Sequence, residues 1–308
     1  MPSGIVRFPV RDTQGNETLA DFALTITAPG GITHGSQVTA QNTGWRGLGL
    51  TLADLTSTGS ITTTHHEQVI ERKRVSGNIQ VQHDDVTIRG CKIEAPLGAH
   101  PIKVDTPGVS GLRVEFTEAH QDLTQGGDRN ALHGSANVGA GQLPNVAYRC
   151  DLHHTADGVR PSNGWRIEEC LIHPEVKFGS SHNDGLHSTQ DSGAHSPAIS
   201  VVRSKVIMGH NFGNACLYFE CTNGDHHDLD LIDNWLQASS ATGCILLTTE
   251  HTGAGSFLGT TRIERNWLVQ GWDGGPEFGI RLVGNVGTIV RSGNRKVNVA
   301  GNDLGSAD

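Results

Sequence analysis

A short phrase recurs along this chain: a run of alternating apolar and polar residues that closes on a small residue or an amide. The later copies follow one another at intervals of about 20–35 residues with no helical pattern between them, and such a period is typical of repeat proteins. Each unit is too small to bury a core alone, so neighbouring units must stack. We therefore predict a solenoid of short strands. The copies are residues 86–91, 146–150, 165–170, 199–204, 229–234, 261–266 and 288–294.

A second apolar segment follows each of the later phrases after a loop of variable length. The segments return in a fixed order without hairpin signals between them, so each must pair in parallel with its own preceding copy. The prediction is an all-β fold, a right-handed, single-stranded parallel β-helix, with its hand set by the general preference of parallel crossovers. Each coil should carry two strands at least, and a third is expected. The second segments are residues 157–160, 184–187, 215–218, 243–246 and 278–282.

Residues that close successive phrases should stack at one corner of the helix. Asn234, Asn266 and Asn294 take this position, and asparagine tolerates the left-handed backbone that such turns need. Cysteines fall at matching places in the repeat and are expected to be small buried residues, in a protein folded in a reducing cytoplasm, rather than disulfides or zinc ligands. The cysteines are Cys91, Cys150, Cys170, Cys216, Cys221 and Cys244.

The first part of the chain differs from the rest. Residues 1–60 are rich in Thr, Gly and Ala and contain no copy of the repeat. The open end of a solenoid exposes unpaired strand edges that must be covered. We therefore predict a small strand-rich N-terminal cap or docking segment over residues 1–60 and the β-helix over residues 61–308.

Composition and charge exclude several classes of function. The net charge of −9 argues against nucleic-acid binding, which needs clustered cations. No apolar run is long enough to form a membrane helix, so membrane insertion is not expected. The N-terminus lacks a basic stretch followed by an apolar one, so no signal peptide is expected.

The most reactive surface is predicted where two consecutive coils carry an Asp-Gly pair. Alignment of the pairs places Asp157 over Asp184, about 5 Å apart by the spacing of neighbouring strands. Two carboxylates this close could divide the acid and nucleophile roles of glycoside hydrolysis, with His187 as a third candidate catalytic residue. Two other readings stay open: Asp-Gly simply turns the chain, or the surface binds carbohydrate. The candidate carbohydrate-binding residues beside the pair are His154, Arg160 and His182.

Two further clusters are weaker candidates. Trp235 and Trp267 occupy equivalent places in neighbouring coils, with Trp272 nearby, and stacked indoles could bind the apolar faces of sugars; the alternative is a packing ladder. A cluster at residues 225–230 is rich in His and Asp, but adjacent residues on a strand face opposite ways, so no metal site is predicted and a calcium ion is left open. Its candidate ligands are Asp225, His227 and Asp228.

Several segments resemble a known group of β-helix proteins. Residues 42–44, 58–63, 77–79 and 86–89 look like the opening of minor tail proteins of phages infecting actinobacteria, and the later Asp-Gly strand and Asn-Trp corners fit the same group. The resemblance covers roughly residues 40–300. More broadly, the chain is similar to the pectate-lyase-like superfamily, which includes lyases, glycosidases, tailspikes and inert fibres.

The resemblance implies a structural virion protein, a tail component or spike-like fibre that uses the β-helix as a rigid scaffold. Its implied partners are other virion tail proteins, a polysaccharide on the host cell surface, and further copies of the chain in a homo-oligomer such as a trimer. The implied location is the virion tail. The sequence favours this role over catalysis. It leaves open a depolymerase, either a glycoside hydrolase or a lyase, acting through Asp157 and Asp184, and a cellular β-helix protein without a virus.

Overall fold

The computed structural model describes two compact units of the chain. They are Met1–Gly31 and Ile32–Asp308, so the division falls well before the boundary predicted at residue 60. In the first unit, β1 (Val6–Arg11) pairs with β2 (Glu17–Phe22) in an antiparallel hairpin. The residues described are 6–11, 17–22, 32–104, 106–124, 127–134, 138, 141–173, 183–189, 198–208, 215–222, 224–238, 243–250, 255–269 and 279–308.

The second unit is the predicted all-β, right-handed parallel β-helix. Along the described chain, each coil gives one strand in turn to each of three sheets, so the expected third strand is present. Sheet I contains β4 (Ile61–Thr62), β7 (Ile79–Val81), β10 (Ile102–Val104), β13 (Leu132–Gly134), β16 (Val159–Pro161), β19 (Leu186–Ser188), β22 (Leu217–Glu220), β25 (Ile245–Thr248) and β28 (Ile280–Val283).

The other two sheets complete each coil. Sheet II contains β5 (Val69–Glu71), β8 (Thr87–Arg89), β11 (Arg113–Glu115), β14 (Asn145–Tyr148), β17 (Trp165–Glu168), β20 (Ile199–Val202), β23 (Leu229–Ile232), β26 (Thr260–Glu264) and β29 (Thr288–Ser292). Sheet III contains β3 (Thr56–Thr58), β6 (Lys73–Ser76), β9 (Lys92–Ala95), β12 (Glu118–Gln121), β15 (Asp151–His153), β18 (Leu171–His173), β21 (Lys205–Ile207), β24 (Trp235–Gln237), β27 (Trp267–Val269), β30 (Arg295–Val297) and β31 (Asp303–Ser306). Short 3-10 helices span Gly35–Gln37, Trp45–Leu48 and Leu52–Asp54. None of the described helices is long and apolar enough to cross a membrane.

The recurring phrase is a sheet II strand together with the corner that follows it. Its alternation places every second residue of the strand inside the helix, in register with the same residue of the next coil. Ile167 pairs with Val201, and Val201 with Leu231. All three are fully buried. The core is therefore a narrow stack of aliphatic side chains, which a sequence poor in aromatic residues can fill.

The corner between sheets II and III carries the predicted ladder of asparagines. The Asn234 side-chain amide donates to Asn266 Oδ1 at 2.9 Å, and that of Asn266 to Asn294 Oδ1 at 3.0 Å. The asparagines themselves do not have the left-handed backbone that the sequence predicted. The residue before each one takes it, as at Asp233 (φ 57°) and Arg265 (φ 53°), because the bend must precede the residue whose side chain turns inward.

The cysteines follow the predicted pattern. All six are buried and free of disulfides. Cys150 and Cys170 occupy the same corner as the asparagines, where the backbone N–H of Cys150 donates to Cys170 Sγ at 3.4 Å. Burial raises the pKa of the Cys170 thiol well above its usual value. These thiols therefore act as small core residues.

Residues 32–50, which we call the crossing segment, do not cap the open end as predicted. They run along the outer face of sheet III, where Val38 is buried against Leu171 and Ile207. The Gly35 N–H donates to the Asp233 carbonyl at 2.8 Å. Outward apolar residues on sheet III, such as Leu171 and Ile207, must be shielded from water, and the crossing segment shields them. The final sheet III edge is instead paired with β31, which is antiparallel to β30.

Candidate functional site

The connections that enter and leave sheet I are longer in sequence than those between sheets II and III. β19 (Leu186–Ser188) is separated from β18 by residues 174–185 and from β20 by residues 189–198. By contrast, only Glu169 and Cys170 link sheet II to sheet III in that coil. Long connections around a rigid sheet are where binding sites concentrate. The outward residues of successive sheet I strands are Lys103, His133, Arg160, His187, Tyr218 and Leu246.

The two Asp-Gly pairs lie at the entry to sheet I, one coil apart. Asp157 Oδ1 accepts from the backbone N–H of Asp184 at 3.1 Å, and Asp184 Oδ1 accepts from the N–H of Ala215 at 2.9 Å. Each carboxylate therefore accepts a hydrogen bond from a backbone N–H of the next coil, an interaction that we call capping the coil. The glycines serve close packing rather than an unusual backbone angle, because a Cβ at Gly158 would lie 2.2 Å from Ile172 Cγ2.

The second oxygen of each carboxylate faces a histidine. Asp157 Oδ2 and Asp184 Oδ2 lie 4.0 and 3.9 Å from His187 Nδ1. His187 Nε2 lies 3.1 Å from Glu220 Oε1, and the Tyr218 hydroxyl donates to Glu220 Oε2 at 2.9 Å. The Tyr218 ring stacks on His187, with centroids 4.8 Å apart. Both ring nitrogens of His187 thus face carboxylates.

The carboxylates determine the charge of His187. Burial alone would lower the pKa of His187, but the Glu220 hydrogen bond and the charges of Asp157 and Asp184 outweigh it, so the pKa is raised. The Asp184 residue is 0% exposed, whereas the His187 side chain is 17% exposed. His187 is therefore the group that can reach a bound molecule, and Asp184 positions it.

The same residues include a set of metal-type ligands. Asp157, Asp184 and His187 each offer one ligand atom, and these atoms lie within 4.8 Å of one another. A divalent cation could be held there, although calcium prefers a shell made of oxygen ligands. The sequence analysis left a calcium ion open at residues 225–230. This cluster is a better candidate for such an ion than those residues.

The other residues predicted beside the pair have different positions. Arg160 lies on the sheet I face, and its guanidinium donates to Thr189 Oγ1 at 3.4 Å. His154 directly follows the sheet III strand β15, and its ring lies 5.0 Å from that of His153. His182 and Trp272 lie outside the described residues.

The two tryptophans form a packing ladder rather than an open platform. Trp235 pairs with Trp267, with ring centroids 5.8 Å apart at a tilt of 48°. Trp235 is only 7% exposed, and the ring of His34 in the crossing segment lies 4.5 Å from that of Trp267. The crossing segment therefore occupies the face on which a sugar would stack.

The candidate ligands at residues 225–228 do not converge. Asp225 Oδ1 accepts from the Ser256 N–H, and Asp228 Oδ1 from the Thr260 N–H, both at 2.7 Å. They cap the following coil, as Asp157 does. Among the described residues, no group suited to a metal includes them.

The sequence analysis did not identify two sets of ionisable residues. Glu220 and Tyr218 complete the sheet I cluster but belong to a coil without Asp-Gly. A second cluster, Glu118 with His120 and His153, lies on sheet III. A sequence pattern could have revealed this second cluster, because an acid, an apolar residue and a histidine recur at residues 118–120 and 151–153.

Fold and site together define a parallel β-helix protein with a histidine–carboxylate cluster on one sheet. No protein-family model and no curated protein matches the chain. Among solved structures, it is similar to one described as the crystal structure of pectate lyase Pel9A. The identity is 11%, the match covers 80% of this chain and 69% of that chain, and the TM-score is 0.36. This likeness adds nothing to the fold that the three sheets already define.

Proposed function

We propose that this β-helix binds a linear acidic polysaccharide along the outer face of sheet I and cleaves it at the cluster of Asp157, Asp184 and His187. One observation carries the proposal: both ring nitrogens of the partly exposed His187 face carboxylates. An imidazole in that setting is held ready to exchange a proton with a bound molecule.

A purely structural corner does not explain this cluster. Capping the next coil uses one oxygen of Asp157 and one of Asp184, and Asp225 performs the same task although, among the described residues, it belongs to no cluster of three such ligand groups. Gathering the carboxylates of Asp157, Asp184 and Glu220 around one imidazolium leaves excess negative charge away from water, which destabilises a scaffold. Such arrangements concentrate at functional sites.

The neighbouring coils favour an acidic substrate. Lys103, His133 and Arg160 are side by side in the register of sheet I, about 4.8 Å apart from coil to coil. His100 stacks on His133, with centroids 4.3 Å apart. A polymer with regularly spaced carboxylates that lay along the helix axis would place these carboxylates beside Lys103, His133 and Arg160. Its next glycosidic bond would then lie at His187.

Each residue of the cluster would have a distinct role. Protonated His187, the most exposed member, would donate its proton to the glycosidic oxygen as the bond from that oxygen to the sugar carbon breaks. Asp157, whose side chain is 9% exposed, would attack the sugar carbon or activate a water molecule in hydrolysis, or would take the proton from the sugar carbon in elimination. Asp184 and Glu220 would position His187 and keep it protonated. Hydrolysis and elimination differ in their products, because only elimination creates an unsaturated sugar.

The test is incubation of the purified chain with acidic and neutral polysaccharides, followed by assay of new reducing ends and of unsaturated products. We expect cleavage of the acidic polymer and a loss of about a hundredfold or more in rate for His187→Gln. His65→Gln, a change at an exposed histidine, is the matched control and should retain the rate. An intact polymer, or equal rates for both variants, would refute catalysis at this site.

A second proposal concerns where the protein acts. We infer from the sequence resemblance that the chain is a tail component of a phage particle, bound to other tail proteins and facing the host polysaccharide. The separate N-terminal unit, Met1–Gly31, supports this role, since a docking segment should be distinct from the helix. Detection of the chain in purified particles, with a trimeric mass for the isolated protein, is the expected result; absence from particles would contradict it.

A further inference from the structure

A second cluster of ionisable side chains lies on the outer face of sheet III. Glu118 and His120 come from β12, and His153 comes from β15 in the next coil. The rings of His120 and His153 are stacked, with centroids 4.7 Å apart. All three residues are buried, and the crossing segment covers them, with Trp45 Nε1 donating to Glu118 Oε2 at 2.8 Å.

The hydrogen bonds of His120 fix which nitrogen is available. Its Nδ1 lies 2.7 Å from the carbonyl of Gln121, so Nδ1 carries the proton and Nε2 presents a lone pair. His120 is 0% exposed, and its Nε2 has no hydrogen-bond partner in the described structure. A backbone carbonyl that orients the distal nitrogen is the arrangement that metal-binding histidines use.

Three atoms that can serve as metal ligands therefore lie close together, with His153 Nε2 giving up its proton when a metal binds. His120 Nε2 lies 3.7 Å and His153 Nε2 lies 3.6 Å from Glu118 Oε1. Ligands of a tetrahedral zinc ion at its usual bond lengths are about 3.4 Å apart. The measured separations are close to that value, so only small side-chain movements would bring the three atoms into coordination range.

We propose that Glu118 Oε1, His120 Nε2 and His153 Nε2 bind a divalent ion of the zinc class. Two imidazoles and one carboxylate suit zinc and its neighbours better than calcium or magnesium. The second oxygen of Glu118 is held by Trp45 and Arg46, which leaves the first directed at the histidines. The site lies on a different sheet from His187 and does not depend on the proposed function.

One cation competes for this position. Lys92 Nζ lies 3.6 Å from Glu118 Oε1, and the Lys92 side chain is partly exposed. Burial would raise the pKa of Glu118, but the His153 hydrogen bond and the charges of Arg46 and Lys92 lower it to about 2, so the carboxylate is ready to bind. A metal must displace the ammonium, which can swing into solvent. Removal of Lys92 should therefore strengthen metal binding.

The experiment is calorimetric titration of the chelator-treated full chain with Zn²⁺ near neutral pH. We expect one equivalent per chain, a rise in Tm, and at least a tenfold weaker affinity in both His120→Gln and His153→Gln. His100→Gln, which alters the stacked pair on sheet I, is the matched control and should bind as the wild type does. Circular dichroism confirms that each variant is folded.

Two further results test the proposal without relying on a loss of Zn²⁺ binding. Lys92→Gln should bind Zn²⁺ at least threefold more tightly than the wild type, and Co²⁺ bound to the wild type should show the visible absorption of tetrahedral coordination. Wild-type protein that binds no Zn²⁺, or binding that His120→Gln and His153→Gln leave unchanged, would overturn the site. So would weaker binding by Lys92→Gln.

Discussion

Asp157 Oδ1 accepts a hydrogen bond from the backbone N–H of Asp184 on the next coil, at 3.1 Å. The other oxygen of Asp157 lies 4.0 Å from His187 Nδ1. One side chain thus combines a structural task, capping a coil, with an electrostatic one, stabilising an imidazolium. The structural and the catalytic interpretations of Asp-Gly are therefore not exclusive, and they can be separated by a substitution that keeps the cap.

The asparagine ladder should contribute strongly to stability. Asn266 Oδ1 accepts from both the backbone N–H and the side-chain amide of Asn234, inside a buried corner. Asn266→Ala leaves these donors without a partner, and we expect a loss of about 3 kcal/mol in the free energy of unfolding. Urea denaturation measures it. Asn302→Ala, at an exposed asparagine, should change stability by about 0.5 kcal/mol or less; equal losses would contradict the ladder's role.

The docking of the crossing segment should depend on a glycine. A Cβ at Gly35 would lie 2.2 Å from the Ser204 carbonyl and 2.6 Å from the Trp235 backbone nitrogen. Because neither backbone atom can move easily, Gly35→Ala should loosen the segment and increase hydrogen exchange over residues 32–40. Gly59→Ala is the control, since nothing lies within 4 Å of its Cβ. Unchanged exchange in Gly35→Ala would show that the contact can relax.

His226 should make stability fall in acid. It is fully buried against Phe219 and Phe257, and this burial lowers its pKa to about 4 although its Nε2 lies 3.1 Å from the Glu220 carbonyl. The nearby charged groups are Glu220, Asp225 and His227. The unfolded chain binds the proton first as the pH falls below 6.5, so stability declines from there to about pH 4.

The size of this effect follows from the shift in pKa and amounts to about 3 kcal/mol. Urea midpoints measured from pH 7 to 4 test it. The ring introduced by His226→Phe can stack on Phe257 but does not titrate. The free energy of unfolding of this variant should therefore fall by about 3 kcal/mol less than that of the wild type over the same pH range. If wild type and variant decline in parallel, His226 does not titrate with the expected pKa.

The repeated parts of the fold could be read from the sequence because each contact joins equivalent positions of successive coils. The stack of Asn234, Asn266 and Asn294 and the pairing of Asp157 with Asp184 are of this kind. The crossing segment could not be predicted, since His34 meets Trp267 without any shared period. Glu220 was missed for a similar reason: it reaches His187 from a coil whose sequence lacks the Asp-Gly pair.

The most direct test of the central claim compares Asp157→Asn with Asp225→Asn in cleavage of an acidic polysaccharide. Asparagine keeps the oxygen that caps the next coil in both variants, but in Asp157→Asn it removes the negative charge facing His187. We predict that Asp157→Asn lowers the initial rate of cleavage by about a hundredfold or more, while Asp225→Asn cleaves at the wild-type rate. Equal rates for the two variants would show that Asp157 only caps the coil.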